Sequence, residues 1–203
     1  MKTIFLIATL TTIVFVGCKN QNSEDKKLQT TDNKQVVSSD LKIDTQKSYI
    51  KWTGSMIGLY SHFGTLNFKQ GIVSISDDQV VGGKFVVDMN TIAPTDDNYK
   101  MSPKEKLVEH LKSDDFFSVS QYPEASLEIV KSEKDFIWAN LTIRGITKEE
   151  KITDVKVEKN ANGYILSGKL TFDRQKYNVS YKSSMKDKVL SDNIELEVYL
   201  FTN

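Results

Sequence analysis

Cysteine is nearly absent from this 203-residue chain: Cys18 is its single thiol. One cysteine excludes an internal disulfide framework. Histidine is also scarce, with only His62 and His110, and no cluster of donors with metal-ligand spacing surrounds either one. There is no excess of charge of either sign: 27 basic and 27 acidic residues balance. A nucleic-acid binder would show a basic surplus. No glycine-rich phosphate loop occurs, so the sequence indicates no metal, no cofactor and no nucleic-acid partner. Long apolar runs are missing too, except at the N-terminus.

That one run carries the cysteine. Lys2 gives a positive start, Ile4 to Val16 is mostly apolar, and Phe15-Val16-Gly17-Cys18 ends it. A bilayer crossing needs about 20 apolar residues, so the run is too short to span and suits the core of a signal peptide. Its ending resembles a bacterial lipobox. On that reading residues 1–17 are a lipoprotein signal peptide, and Cys18 is the lipid anchor and the first residue of the mature chain. The protein is then expected in the bacterial cell envelope, lipid-anchored on the periplasmic side or at the cell surface. Loss of Lys2 leaves 26 basic and 27 acidic residues. With so little charge, the acyl chains rather than electrostatics hold the membrane. Residues 19–40 contain only Leu28, Val36 and Val37 as apolar side chains. Such a stretch buries too little surface to fold and reads as a flexible tether reaching roughly 25 Å. The folded domain is expected over 41–203, long enough for one sizeable core.

Within it, period-two patterns dominate. Ser48, Ile50 and Trp52 alternate with Tyr49, Lys51 and Thr53; Gly83, Phe85, Val87 and Met89 share one side; so do Ala125, Leu127 and Ile129. Ile137, Ala139, Leu141 and Ile143 repeat the pattern, as do Leu166, Gly168, Leu170 and Phe172, and finally Ile194, Leu196, Val198 and Leu200. One apolar phase against one wet phase marks antiparallel strands. Asp77-Asp78, Asn160 to Gly163 and Lys186 to Asp192 supply turns. The fold class is therefore all-β: an antiparallel barrel or sandwich. One short helix is signalled by Ser102 as N-cap, Pro103 at the first helical position and Glu105 as capping-box partner. Leu107, Val108 and Leu111 are its apolar stripe, and it must lie on the sheet or across one end of it.

No catalytic constellation emerges, and an enzyme is not expected. Ser183 to Lys186 (SSMK) and Ser191 to Asn193 (SDN) match strings of penicillin-recognising enzymes, where the serine and lysine share a helical face; here they flank a loop between strands. Asp96-Asp97 and Asp114-Asp115 read as solvated loop acids. His110 is expected near the wet side of the helix, and His62 at the surface or a barrel mouth. The apolar phase itself remains. A barrel of about eight strands either fills with side chains or holds one slender ligand. Gly54, Gly64, Gly83, Ala125, Ala139 and Gly168 on that phase leave volume unfilled or mark bends.

Several spaced motifs resemble the YceI-like family across about residues 43–203. They include Ile43, Asp44, Ser48, Ile50 and Trp52, with Lys47 where histidine is common. Leu111, Asp115, Phe116, Phe117, Tyr122, Pro123 and Leu127 follow in the family's order, then Leu141 to Thr147, then Arg174, with Asn178 where glycine is expected. The resemblance implies an up-and-down, lipocalin-like barrel enclosing a long apolar tunnel, which in some members holds a polyisoprenoid with its polar head near the mouth. The positions expected to face such a ligand are Ile50, Trp52, Phe85, Val87, Leu127, Ile129, Leu141, Ile143, Leu170, Phe172, Ile194, Leu196 and Val198. The expected partners are a polyisoprenoid or other long-chain lipid, and the membrane through acylated Cys18. The alternative is a closed-core stress or protein-interaction lipoprotein, with Phe136, Trp138, Tyr199 and Phe201 as a contact patch on the other phase. A homodimer through the C-terminal strands of two barrels is left open.

Overall fold

The computed structural model describes residues 38–97, 99, 103–181 and 189–202. Cys18, the tether, Ser102 and the Ser183–Lys186 string lie outside them. The described elements are β1 (Ser39–Lys42), β2 (Tyr49–Met56), β3 (Tyr60–Ser76), β4 (Gln79–Pro94), α1 (Lys104–Lys112), β5 (Glu124–Ser132), β6 (Ile137–Ile143), β7 (Ile146–Asn160), β8 (Gly163–Asp173) and β9 (Leu190–Phe201). A short 3-10 turn, Arg174–Tyr177, follows β8.

Every strand of the set β2 to β9 pairs antiparallel with its neighbour in sequence, and β9 returns to pair with β2. The result is a closed up-and-down barrel. The alternation explains the closure. Ile50 lies opposite Val198 and Trp52 opposite Leu196, so the apolar phases of successive strands meet on the same face. β3 and β4 are long, at 17 and 16 residues. Three register shifts along their shared ladder bend them. The first half of β3 pairs with β2, and the second half with β1 at Ile72–Ile75. The two-residue turns Asp77-Asp78 and Arg144-Gly145 hold both residues at positive φ (49° and 55°, 51° and 71°), the primed-turn geometry that suits strand twist.

The β2–β3 turn, α1, the β6–β7 turn and the start of β9 gather at one end. The β3–β4 and β7–β8 turns and β1 gather at the other. Two arginines latch the first end. Arg144 donates to the carbonyls of Asp114 (3.1 Å) and Phe116, fastening the β6–β7 turn to the chain after α1. Arg174 is buried and donates to Ser191 O (3.0 Å), Val179 O (2.5 Å) and Asp192 Oδ1 (2.9 Å). Burial lowers its guanidinium pKa, and Asp192 opposes the shift. Asn178 takes φ 59°, ψ 26° at the end of this turn, a left-handed conformation that asparagine tolerates better than most residues. That accounts for asparagine in a glycine position. At the opposite end, Lys47 bonds Asp44 at 3.0 Å, and Phe201 N–H donates to Ser48 Oγ at 3.0 Å.

Two expectations need correction. The helix begins at Lys104, with Pro103 still extended (ψ 148°) and no side-chain cap hydrogen bond, because the pyrrolidine sits one residue before the first helical turn. The expected turn over Lys186 to Asp192 ends earlier: β9 already includes Ser191 and Asp192, whose register Arg174 fixes. β9 is paired on both edges, with β2 and β8, so it offers no free edge for dimer pairing over that ladder. The aromatic side chains outside the barrel are half-buried. Tyr49 and Tyr199 stack at 5.0 Å beneath Lys51, and Phe136 meets Trp138 edge-on at 5.8 Å beneath Lys151.

Gly64 is required by close approach. A Cβ there would lie 2.1 Å from Ala93 O and 2.6 Å from the Trp52 ring. Gly64→Ala is expected to destabilise by about 3 kcal/mol, whereas Gly54→Ala, whose Cβ would meet nothing closer than Ile194 at 3.7 Å, should be neutral within about 0.5 kcal/mol; urea unfolding midpoints compare them. Arg174→Ala leaves the Val179 and Ser191 carbonyls without their donor, so a loss of about 3 kcal/mol is expected in the same measurement. Arg174→Lys should restore little of it, since an ammonium cannot reproduce the fork.

Candidate ligand-binding cavity

The barrel is hollow. A cavity of about 510 Å³ runs along its axis, within the size range of small-molecule sites. At one end of the cavity are Val73 and Val80, beside the β3–β4 turn. At the other are Met56, Tyr60 and Leu190. Exposed Pro103 and Lys106 line this second end, which is therefore the mouth. Each strand contributes through one phase only, since successive side chains point to opposite faces.

All the positions expected to face a ligand line this cavity: Ile50 and Trp52 from β2, Phe85 and Val87 from β4, Leu127 and Ile129 from β5, Leu141 and Ile143 from β6, Leu170 and Phe172 from β8, and Ile194, Leu196 and Val198 from β9. The Trp52 indole N–H is satisfied by Thr65 O at 3.3 Å, so its ring presents a dry surface. The small residues behave unequally. Gly54, Gly168 and Ala125 border the hollow. Gly64 and Gly83 do not open it, because Trp52 and Phe85 rings occupy the places their side chains would take. Ala139 is fully buried among neighbours.

The mouth was the less legible part. α1 lies across it and contributes Lys106, Leu107, His110 and Leu111. His110 is not on the wet side: its ring packs edge-on against Tyr181 at 4.3 Å and Phe116 at 5.5 Å. Nor is Asp96 a solvated loop acid. Its side chain is 3% exposed and accepts from Phe63 N–H at 3.2 Å and Tyr99 O–H at 2.8 Å, beside His62 Nδ1 at 3.1 Å. Burial, and then Asp96, push the Tyr99 phenol pKa well above its ordinary value. His62 stacks on Tyr99 and meets Tyr60 edge-on, both at 5.1 Å. His62 and Asp96 are 34 residues apart; they meet because the β3–β4 ladder, after its register shift near Thr65, sets Gly64 opposite Pro94 and ends just beside them.

Among the described residues no group of three or more histidine, cysteine or acidic side chains could hold a metal. None of their helices is long and apolar enough to cross a membrane. Ser191 and Asn193 lie in β9. A smaller cleft of about 200 Å³, lined by Asp78, Ser132 and Lys134, sits outside the far end and shares Val80, Ile137 and Val155 with the main cavity.

Comparison with known proteins follows this architecture. The family model of the YceI-like domain matches residues 41–201. BcnA of Burkholderia cenocepacia has a similar fold, with a TM-score of 0.63 at 16% identity over 78% of this chain and 98% of that one. A polyisoprenoid binding domain from Saccharophagus degradans overlays with a TM-score of 0.47 at 12% identity, covering 80% of this chain and 97% of that one. A UPF0312 protein of Staphylococcus aureus (strain bovine RF122) is 31% identical over 105 residues. That alignment takes in 47% of this chain and 58% of the relative, little more than half its length. With the family model matched over nearly the whole barrel, the chain belongs to the YceI-like family.

Proposed function

We propose that the protein is a membrane-tethered, non-enzymatic carrier that holds a long-chain amphiphile, such as a polyisoprenoid, inside the barrel. One observation carries this reading: the cavity is apolar along the barrel, and its described titratable and exposed lining residues gather at one end. A slender chain matches that shape better than a compact molecule does. The energetics favour occupancy. At about 24 cal/mol per Å³ of cavity, leaving the hollow empty forfeits on the order of 12 kcal/mol of contacts. A whole domain is stable by only about 5–15 kcal/mol. Each methylene entering it contributes about 0.8 kcal/mol, so a few isoprene units give useful affinity without a charged anchor.

The hollow also weighs against the closed-core alternative. The inward residues of all eight strands border one shared space, so the wall is built as a lining. The lipobox-like ending at Cys18 supports a fatty anchor in the cell envelope, on the periplasmic side or at the surface. A tether there would keep the domain close to the membrane that supplies its ligand.

Protein purified from its native host is expected to release a long-chain lipid into organic solvent, detected by mass spectrometry, and the stripped protein should melt at a lower temperature. A clean extract together with no uptake of a fluorescent polyprenyl probe would refute the carrier reading. Leu127→Trp should cut probe affinity by about tenfold or more while lowering the melting temperature by only about 3 °C; a closed core would give the reverse, a large loss of stability from overpacking. Anchoring is checked separately: radiolabelled palmitate should label the wild-type chain in cells, and Cys18→Ser should abolish the label.

A further inference from the structure

We propose that the mouth selects an amphiphile whose polar end donates a hydrogen bond, an alcohol, and that His62 is the group that reads it. This rests on the carrier reading and adds to it the chemistry of the ligand's head.

The titratable side chains that line the cavity are all at its mouth: Tyr60, His62, Tyr99, Lys106, His110 and Tyr181. His62 differs from the others in being locked by a buried partner. Asp96 Oδ2 accepts from Phe63 N–H and Tyr99 O–H, and Oδ1 faces His62 Nδ1 at 3.1 Å. A carboxylate only accepts, so Nδ1 carries the proton of this pair. With the proton on Nδ1, a neutral imidazole leaves Nε2 as a lone-pair acceptor. Nε2 has no hydrogen-bond partner among the described residues, and the ring is pinned between Tyr99, stacked, and Tyr60, edge-on. A fixed acceptor on the wall of a greasy cavity favours a donor. It also penalises a head of the same shape that only accepts, because two lone pairs would then face each other with no water between them.

Among the described residues nothing comparable holds an anion. Lys106 is the one lysine, arginine or acidic side chain of the lining among the described residues, and it is exposed, so it stays in contact with water. His110 is enclosed by the Phe116 and Tyr181 rings. Asp96 is a positioning residue: it sets which nitrogen of His62 is free and does not line the cavity itself.

The test uses the full chain, stripped of ligand, and three probes with one tail: geranylgeraniol, its methyl ether and geranylgeranyl phosphate. Quenching of Trp52, which lies in the cavity wall, reports binding. The alcohol is expected to bind about tenfold or more tightly than either of the others. His62→Phe keeps the ring stack and should bind alcohol and ether equally, at an affinity between the two wild-type values. Asp96→Asn should narrow the alcohol-to-ether ratio; if that variant does not fold, His62→Phe decides. Equal binding of alcohol and ether by the wild type, tightest binding of the phosphate, or a preference that survives His62→Phe would each overturn the assignment. Chains that bind whatever their head refute it and leave the carrier reading intact; failure of every chain to bind removes both.

Discussion

Ring closure governs this molecule. Eight strands, β2 to β9, pair edge to edge until β9 meets β2, and a ring of that size has a fixed girth. The apolar phase must point inward, since the outward phase carries lysine, glutamate and threonine. What lies inside is then decided by side-chain size against a radius the side chains do not control. In this chain Ile, Leu, Val and Phe reach part of the way across and leave about 510 Å³. The hollow follows from one strand count and one alternation, and no single residue makes it.

Closure also makes the two ends unlike. The far end is tied by short turns, by β1 alongside β3 and by the bridge between Ile43 and Thr202. The mouth end carries the long connections: the segment between β4 and β5 with α1, and the stretch from β8 to β9. Long connections bring their own polar groups, and those need partners. Asp96, Arg144 and Arg174 satisfy backbone groups there that no ladder reaches. A polar mouth on an apolar tube is thus partly a consequence of where the chain must turn slowly. His62 is the place where this local need and the cavity coincide: its Nδ1 serves the connection, and its ring is part of the lining.

The sequence made the wall legible and the mouth opaque, for a physical reason. A strand's inner face is written in its own period, so Ile50, Trp52, Phe85 and Leu170 could be placed from their neighbours two residues away. No such period links His62 to Asp96, or His110 to Tyr181. Their meeting depends on bends in β3 and β4 and on how α1 settles across the end. The reading of Asp96 as a solvated acid failed for this cause: adjacent aspartates usually lie in water, and the Phe63 amide that holds Asp96 belongs to another strand. Gly64 stayed ambiguous for a related reason. An absent side chain can mean space or contact, and only the Trp52 ring, placed from the neighbouring strand, tells which.

The resemblance motifs divide along the same line. Their polar members are fasteners of the fold. Arg144 ties the β6–β7 turn, Arg174 ties the start of β9, and Ser48 ties the strand end at Phe201. Departures at these places are absorbed structurally: Asn178 accepts the left-handed turn that glycine would take, and Lys47 pairs with Asp44 at the end remote from the mouth. The apolar members, Ile50, Trp52, Leu111, Phe116 and Leu127, build the lining. Motifs of both kinds therefore record how a hollow barrel is closed and walled. None of them includes His62, Asp96 or Tyr99. Membership in the family accounts for a hollow of this shape, whereas choice among the molecules that could enter it depends on side chains the motifs do not contain. In a greasy tube that choice falls to the few polar atoms at the opening, because every tail of similar girth gains about the same from the wall.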